Sequence, residues 1–405
     1  MILDSAAAIC DGRCRVAAIC GAEAFDTLAK AGKAQREPDW TPRFTTGPKR
    51  ISEVPEINIR YGLAMPIHNY PLYENALRVS WGQTLDAAQA ESAAIWAQNS
   101  EVAAEQPAAW SRSIVAASDI AAISPSNRAI AFPYPKLMMA NAGVNQGAAV
   151  LVTSLAIARA AGIDEARLVF IGAGASAREA SDIRRRDRYD HSPAMEAVLR
   201  ATLALNGAQD VHPDLVELYS CFPCVPKMAI RTLGWPSGRR TSLVGGLTFF
   251  GGPGNNYMTH AIAAALRALR AGSGSDALLY GQGEFVTKHA AMWLTRHLPS
   301  ADLWTAGHDV QSAANALRHP VPEVVDSSTG AATVETYTAF YDRNGRPERG
   351  VVVARGHDGA RFLARVGSDD PDTLALLTDM AADRREPIGM VGEARMADGM
   401  VEWHA

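Results

Sequence analysis

Two distant stretches of the chain follow one layout. Gly12–Phe25 reads GRCRVAAICGAEAF and Gly272–Phe285 reads GSGSDALLYGQGEF. Each follows a helix-like run and halts it at a glycine. Each then gives a four-residue apolar strand, a second glycine nine residues after the first, and Phe four beyond that. A helix–strand unit repeated in this way predicts two related halves.

The rest of the chain keeps the same alternation. Ile2–Cys10 reads as a helix and Val16–Ile19 as a buried strand, a start that resembles the middle of a unit and leads us to expect earlier strands before it. Residues 31–75 are rich in proline and polar residues and predict an extended excursion, and Glu74–Ala109 is helical. Asn127–Met139 is strand-like but broken by prolines, and AAVLVTSLAIARAAG reads as helix or as strand plus helix. Arg167–Ile171 predicts a strand closed by Gly172-Ala173-Gly174, which with Arg178 does not complete a dinucleotide fingerprint. Pro193–Ala208 is a helix, Leu215–Tyr219 a strand, Gly245–Phe250 another strand, Met258–Leu269 a helix and Ala277–Tyr280 a strand. Short apolar strands between helices give an α/β class. After Pro320 the pattern turns to alternating strands: Ala332–Ala339, a hairpin at Asp342–Gly345, Arg349–Ala354 and Arg361–Val366, with a short helix near Asp370–Ala382.

The totals exclude several classes. At 405 residues two or three domains are expected. A net charge of −4 without a long basic run points neither to nucleic acid nor to a membrane surface. The dense DIRRRDR at Asp182–Arg188 reads as a solvated face, or as arginines beside a phosphate-bearing ligand. Five cysteines, an odd number, argue for a reducing compartment, and the absence of a signal peptide or long apolar run makes the cytoplasm the expectation. Scattered histidines and the single pair Cys221/Cys224 give no metal signal.

The stretches GRCRVAAICGAEAF, YPLYENALR, NRAIAFPYPKLM, NQGAAVLV, DLVELYSCFP, GGLTFFGGPGNNYMTHAIA and YGQGEFVTKH resemble, in this order, the thiolase superfamily. The likeness is to bacterial acetyl-CoA acetyltransferase or thiolase-like proteins with an extra C-terminal domain. It implies duplicated βαβαβαββ halves whose sheets sandwich buried helices, the first half truncated, plus a small β-rich domain. The boundaries that follow are 1–175 for the first half, with an inserted loop domain at about 30–125. The second half is then 176–315, and 320–405 is a domain resembling an oligonucleotide-binding-type barrel in shape.

The resemblance also says where catalysis belongs. A thiolase carries its acyl group on one cysteine, moves a proton with a second, uses a Gly-His-Pro histidine as base, and polarises the carbonyl from an Asn/His-Glu-Ala-Phe box. Here Gly251-Gly252-Pro253 aligns with Gly-His-Pro and places Gly252 at the base. Tyr219-Ser220-Cys221-Phe222 aligns with the box, and Tyr280-Gly281-Gln282 aligns near the final Cys-x-Gly. Cys221, Tyr219 and His289 are therefore the candidate catalytic residues. Phe222, Gly251, Gly252, Pro253, Gly254, Asn255, Asn256, Gly281 and the cation Lys136 are the candidate binding residues. His68 and His260 read as ordinary loop and helix residues. Two readings of the glycine turn stand: backbone N–H groups held open for a thioester oxygen, or tight packing. Cys221 and Cys224 read as small core residues, with a CxxC disulfide as the other reading.

Three functions follow from the resemblance. The first is an acyl-CoA or related thioester binder without the usual Cys/His set, holding coenzyme A thioester as ligand and no permanent cofactor or metal. The second is an acyltransferase of C–C bond formation or thiolysis using other residues. The third is a non-catalytic partner of a complete thiolase-like chain. A homo-oligomer, or a complex with a thiolase-like or small β-domain protein, is expected, and neither nucleic acid nor membrane.

Overall fold

Helix α1 (Ile2–Cys10) ends at a left-handed Gly12, and the chain turns directly into β1 (Val16–Ala24) and then α2 (Phe25–Lys33). The structure, a computed structural model, describes residues 1–36, 53–300 and 308–405. Four helices follow: α3 (Glu56–Arg60), α4 (Pro66–Ser80), α5 (Leu85–Glu105) and α6 (Ala117–Ala121). Pro66 at the first turn starts α4, and the Thr84 hydroxyl caps α5 by accepting from Ala87 N. The excursion expected to be extended is therefore helical from Glu56 onward, and its part at 37–52 lies outside the described residues.

A small hairpin, β2 (Ala129–Ala131) with β3 (Tyr134–Pro135), leads to β4 (Asn145–Thr153) and α7 (Leu155–Ala160). β4 pairs antiparallel with all of β1, Val16 opposite Thr153. β1 differs from the buried strand expected. Its inner face carries Ile19, but Val16, Ala18, Cys20 and Ala22 on the outer face are exposed.

The second half repeats this plan with a shorter connection. Its elements are β5 (Phe170–Arg178), α8 (Pro193–Leu205), β6 (Leu215–Glu217), α9 (Cys224–Leu233), α10 (Tyr257–Arg270), β7 (Asp276–Gly283) and β8 (Lys288–Thr295). The sheet order is β5-β8-β7-β6. Gly272 ends α10 as Gly12 ends α1, and β7 pairs antiparallel with β8 as β1 does with β4. The helices α2–α6 occupy the place that a tight turn takes between β7 and β8. β5 runs through Gly174 instead of stopping there, because a Cβ at that bulge would meet Ala291 O at 2.3 Å. The half boundary expected at 175 thus falls inside β5.

Helix α10 is the filling between the sheets. Its Ile262, Ala265 and Leu269 share one apolar cluster with Ile19 and Val150 of the first sheet and Leu279, Met292 and Leu294 of the second. Small residues at Ala261, Ala264 and Ala265 allow the close approach.

After α11 (Gln311–Leu317) come β9 (Gly330–Tyr341), β10 (Pro347–Gly356), β11 (Arg361–Val366), α12 (Pro371–Thr378), β12 (Val391–Ala397) and β13 (Met400–His404). The pairings run β9-β10-β11-β13-β12 and return to β9, with β11 and β13 parallel, so the strands close on themselves. The strand order resembles that of an oligonucleotide-binding-type barrel, and the interior is filled by Val334, Val352, Phe362, Val401 and Trp403. The β10–β11 face, the usual ligand face of such barrels, is occupied here. Val351, Val353 and Leu363 belong to the core cluster of the body.

Ion pairs lock that seam. The Arg361 guanidinium is buried, pairs with Glu335 at 2.5 Å and donates to the carbonyls of Arg184 and Arg186. Arg184 is also buried, pairing with Asp182 at 2.9 Å and Asp326 at 2.7 Å. The DIRRRDR segment is therefore not a solvated face, because its carbonyls and guanidiniums hold the barrel to the body. Replacing Glu335 by Ala leaves Arg361 buried without its charge partner and is expected to cost about 3 kcal/mol of unfolding free energy. Glu165→Ala, in an exposed pair with Arg159, should leave the urea midpoint unchanged. Equal midpoints for the two variants would contradict the seam.

Candidate functional site

The site is built where β6 runs out. Leu218 N bonds to Thr241 O at 2.8 Å, and Tyr219 then takes φ +54°, a costly angle for a residue with a Cβ. Glu217, fully buried, holds the bend. Its Oε1 accepts from Tyr219 N (3.2 Å) and the Tyr257 hydroxyl (3.0 Å), and its Oε2 from Ser242 Oγ (2.7 Å) and Leu243 N (3.0 Å). Burial outweighs these donors and raises its carboxyl to about 7. The Tyr219 ring meets Tyr257 edge-on, with centroids 5.4 Å apart. Burial pushes the Tyr219 phenol up.

The bend delivers Cys221 and Phe222 to the start of α9. Cys221 is a free, buried thiol. Gln282 Nε2 lies 3.3 Å from its sulfur, and burial pushes the thiol up to about 12. Phe222 stacks on Tyr70, with centroids 4.5 Å apart and planes at 15°. Cys224 is likewise free and buried, its N–H 3.3 Å from the Tyr134 hydroxyl. Beneath it Lys227 and Glu74 form a buried ion pair, closed by Tyr134 at 2.7 Å and Ser92 at 3.1 Å.

Gly246–Phe250 is not the strand expected. It winds as a single π-helical turn, entered and left through left-handed glycines. Gly245 has φ +105°, and a Cβ there would sit 2.5 Å from the Ala103 Cβ and 2.6 Å from Ala103 N. Gly251 has φ +117° and leaves room for the Gln146 amide, which donates to Phe250 O at 2.7 Å. Three of the N–H groups beyond it are already engaged: Gly252 to Asn141 O (2.8 Å), Gly254 to Gly252 O (2.8 Å) and Asn256 to Pro253 O (2.9 Å). Asn256 Nδ2 reaches Gly21 O at 2.6 Å, tying the turn to β1, while Asn255 is exposed. This geometry favours the packing reading of the glycines.

His289 is the second residue of β8, opposite Gln282, and is buried. Its Nδ1 is 2.7 Å from the Tyr280 hydroxyl, and its Nε2 is 3.5 Å from Ser192 Oγ and 3.8 Å from Glu179 Oε1. Burial, with the nearby Arg186 charge, lowers it to about 3, so the ring is neutral. Glu179 pairs with the wholly buried Arg186.

Gly281 faces Met258 of α10, where a Cβ would lie 2.8 Å from Met258 Cγ. Lys136 stands exposed on the short turn after β3. His68 bonds to Gly62 O at 2.7 Å, and His260 is a buried helix residue beside Phe250.

The structure thus gathers Tyr219, Cys221 and Phe222 with the glycine turn, sets His289 behind Tyr280, and leaves Lys136 outside. Sequence reading did not single out Tyr70, Glu217 or Gln282 as site residues. An acid inside the apolar LVELY strand is the one local signal that marked Glu217. Among the described residues, no group of three His, Cys, Asp or Glu side chains is placed to hold a metal, and no helix is long and apolar enough to cross a membrane.

Residues 309–397 match the family described as the thiolase-like protein type 1 additional C-terminal domain. The structure is similar to that of a monomeric SCP2-thiolase like protein type 1 (STLP1) from Mycobacterium smegmatis. The two share 28% identity over 96% of this chain and 77% of that chain, with a TM-score of 0.80. An acetyl-CoA acetyltransferase from Bacillus anthracis superposes with a TM-score of 0.48 at 16% identity, over 73% of this chain and 75% of that chain. No curated protein sequence matches the chain.

Two buried groups should oppose each other in a pH titration of stability. Glu217 is raised from its usual 4.5 to about 7, so its contribution is complete below 4.5 and lost as pH rises through 7. His289 is lowered from 6.5 to about 3, so its contribution is complete above 6.5 and lost as pH falls toward 3. Between pH 4.5 and 6.5 the two slopes have opposite sign. His289→Asn should make urea-measured stability fall with pH in that window relative to the parent, and Glu217→Gln should make it rise. Each change approaches about 1 kcal/mol per pH unit. Parallel curves for parent and both variants would refute the assignment.

Proposed function

We propose that this thiolase-superfamily protein with an additional C-terminal domain binds a coenzyme A thioester, or a related acyl thioester, without running thiolase chemistry on the residues described above. The observation that carries the reading is Gly252. It stands in the turn where the family resemblance puts a proton-accepting imidazole, and its N–H is bonded to Asn141 O. The neighbouring groups do not replace that base. Burial pushes this thiol up to about 12, so it is held in the neutral form at neutral pH, and the thiolate is the reactive form. His289 is tied to Tyr280 and kept neutral by burial.

The free cysteines fit a reducing, cytoplasmic setting. A second reading, partnership with another chain, draws on the sheet β1–β4. Its outer face presents Val16, Ala18, Cys20 and Ala22 beside Gly147, Ala149 and Leu151, all exposed and none charged.

Titration calorimetry with acetyl-CoA and longer acyl-CoA esters tests the main reading. Saturable heat is expected, together with acetoacetyl-CoA thiolysis no faster than in buffer. No heat at millimolar ligand would end the binding proposal. Turnover that disappears in Cys221→Ala would make the protein an enzyme instead.

A further inference from the structure

Where α4 meets the barrel, one guanidinium is left with a donor to spare. Arg78 is 5% exposed and pairs with Glu386, which lies on the loop between α12 and β12. Its Nε–H is buried and has no acceptor. The other oxygen of Glu386 accepts from Ile388 N at 3.1 Å. Glu74, the one acid on α4 itself, belongs to Lys227.

The same loop brings in a second guanidinium. The half-buried Arg384 donates from Nη2 to the Tyr337 hydroxyl at 2.6 Å, while its Nε and Nη1 are buried without acceptors. Among the described residues no carboxylate pairs with it. The cation lies over the rings of Phe132 and Tyr337, 4.9 and 6.0 Å from their centroids. Such contacts leave the N–H bonds, which lie in the guanidinium plane, still to be satisfied. Burial pushes the Tyr337 phenol up, Arg384 and Arg78 draw it down and Glu386 raises it, so all three charges stand around one hydroxyl. The cluster holds two positive charges against one negative, and three buried donors without acceptors. Buried donors in folded proteins nearly always have a partner, and an unmatched cation is costly in an interior.

We propose that Arg78 and Arg384 form a phosphate-binding site at the seam between α4 and the barrel. The phosphate oxygens accept from the buried N–H groups that lack acceptors, and the ion's charge offsets the unmatched guanidinium. Donors from two arginines on separate elements suit a tetrahedral group with oxygens on several sides better than a flat carboxylate. The phosphate is inorganic or the terminal group of a phosphate ester. The site lies apart from Cys221 and does not rest on the function proposed above.

The test uses the full chain in a phosphate-free buffer of low ionic strength. Titration calorimetry with sodium phosphate should give saturable binding in the parent and in Arg385→Gln, whose side chain is exposed on the same loop. Arg384→Gln should weaken that binding at least about 10-fold, through the loss of charge-assisted hydrogen bonds. Phosphate also stabilises folded chains in general by exclusion from their surface. The thermal midpoint should therefore rise more with phosphate in the parent than in Arg384→Gln, the difference being the bound ion. Circular dichroism checks folding, and if Arg384→Gln does not fold, Arg384→Lys takes its place, since lysine keeps the charge but not the fork of donors. Coenzyme A that displaces phosphate would make an ester phosphate the ligand, and coenzyme A that does not would leave the free ion. No saturable heat at tens of millimolar phosphate, equal affinity in the parent and the Arg384 variant, or acetate binding as tightly as phosphate overturns the proposal.

Discussion

A helix buried along most of its length needs partners for its polar groups, and α4 draws them from both sides, leaving only the Asn69 and Asn75 amide oxygens and Arg78 Nε without one. Toward the barrel, Leu72 O accepts from Thr336 Oγ1 at 2.5 Å, Asn75 donates to Tyr337 O at 2.9 Å, and Arg78 pairs with Glu386. Toward the site, Tyr70 and Tyr73 hold the 284–286 turn, and Glu74 neutralises Lys227. An unpaired buried charge or amide costs more than an ordinary hydrogen bond returns. Barrel, helix and site are therefore specified together. The C-terminal domain supplies part of the hydrogen bonding that keeps α4, and with it Tyr70, in place.

Much of this architecture was legible in the amino-acid sequence, for local reasons. Glycine after a helical run followed by apolar residues marked α1–β1 and α10–β7, because a left-handed residue stops a helix wherever it occurs. Alternation around Asn344-Gly345 marked β9 and β10. Failures came where tertiary contacts overrule local pattern. GGLTFF has strand-like composition, yet its two leading glycines are left-handed and wind it into a π-turn against α5. The arginines of DIRRRDR look solvated until carboxylates outside the segment are counted: Glu179 pairs with Arg186 and Asp326 with Arg184.

The site divides in the same way. Cys221, Phe222 and Tyr219 stand together in the sequence and remain together in space. Tyr70 and Gln282 come from α4 and β7, and no local spacing announces that they meet at one sulfur. His289 was visible as a histidine but not as a strand residue facing Tyr280. Only the pairing of β7 with β8 reveals that its ring is enclosed and neutral.

The electrical character of the centre constrains what it accommodates. Burial favours the uncharged form of each titratable group: the thiol is pushed up to about 12, the imidazole down to about 3 and the Glu217 carboxyl up to about 7. The buried cations nearby, Arg186 and Lys227, are already matched by Glu179 and Glu74. Among the described residues neither of these cations is left unpaired to stabilise a developing enolate or oxyanion, and the N–H groups of Gly252, Gly254 and Asn256 are engaged elsewhere. The burial that packs Cys221 against Tyr70, Phe222 and Gln282 is thus what disables it as a nucleophile: the thiol is kept in its neutral form, and the thiolate is the reactive one.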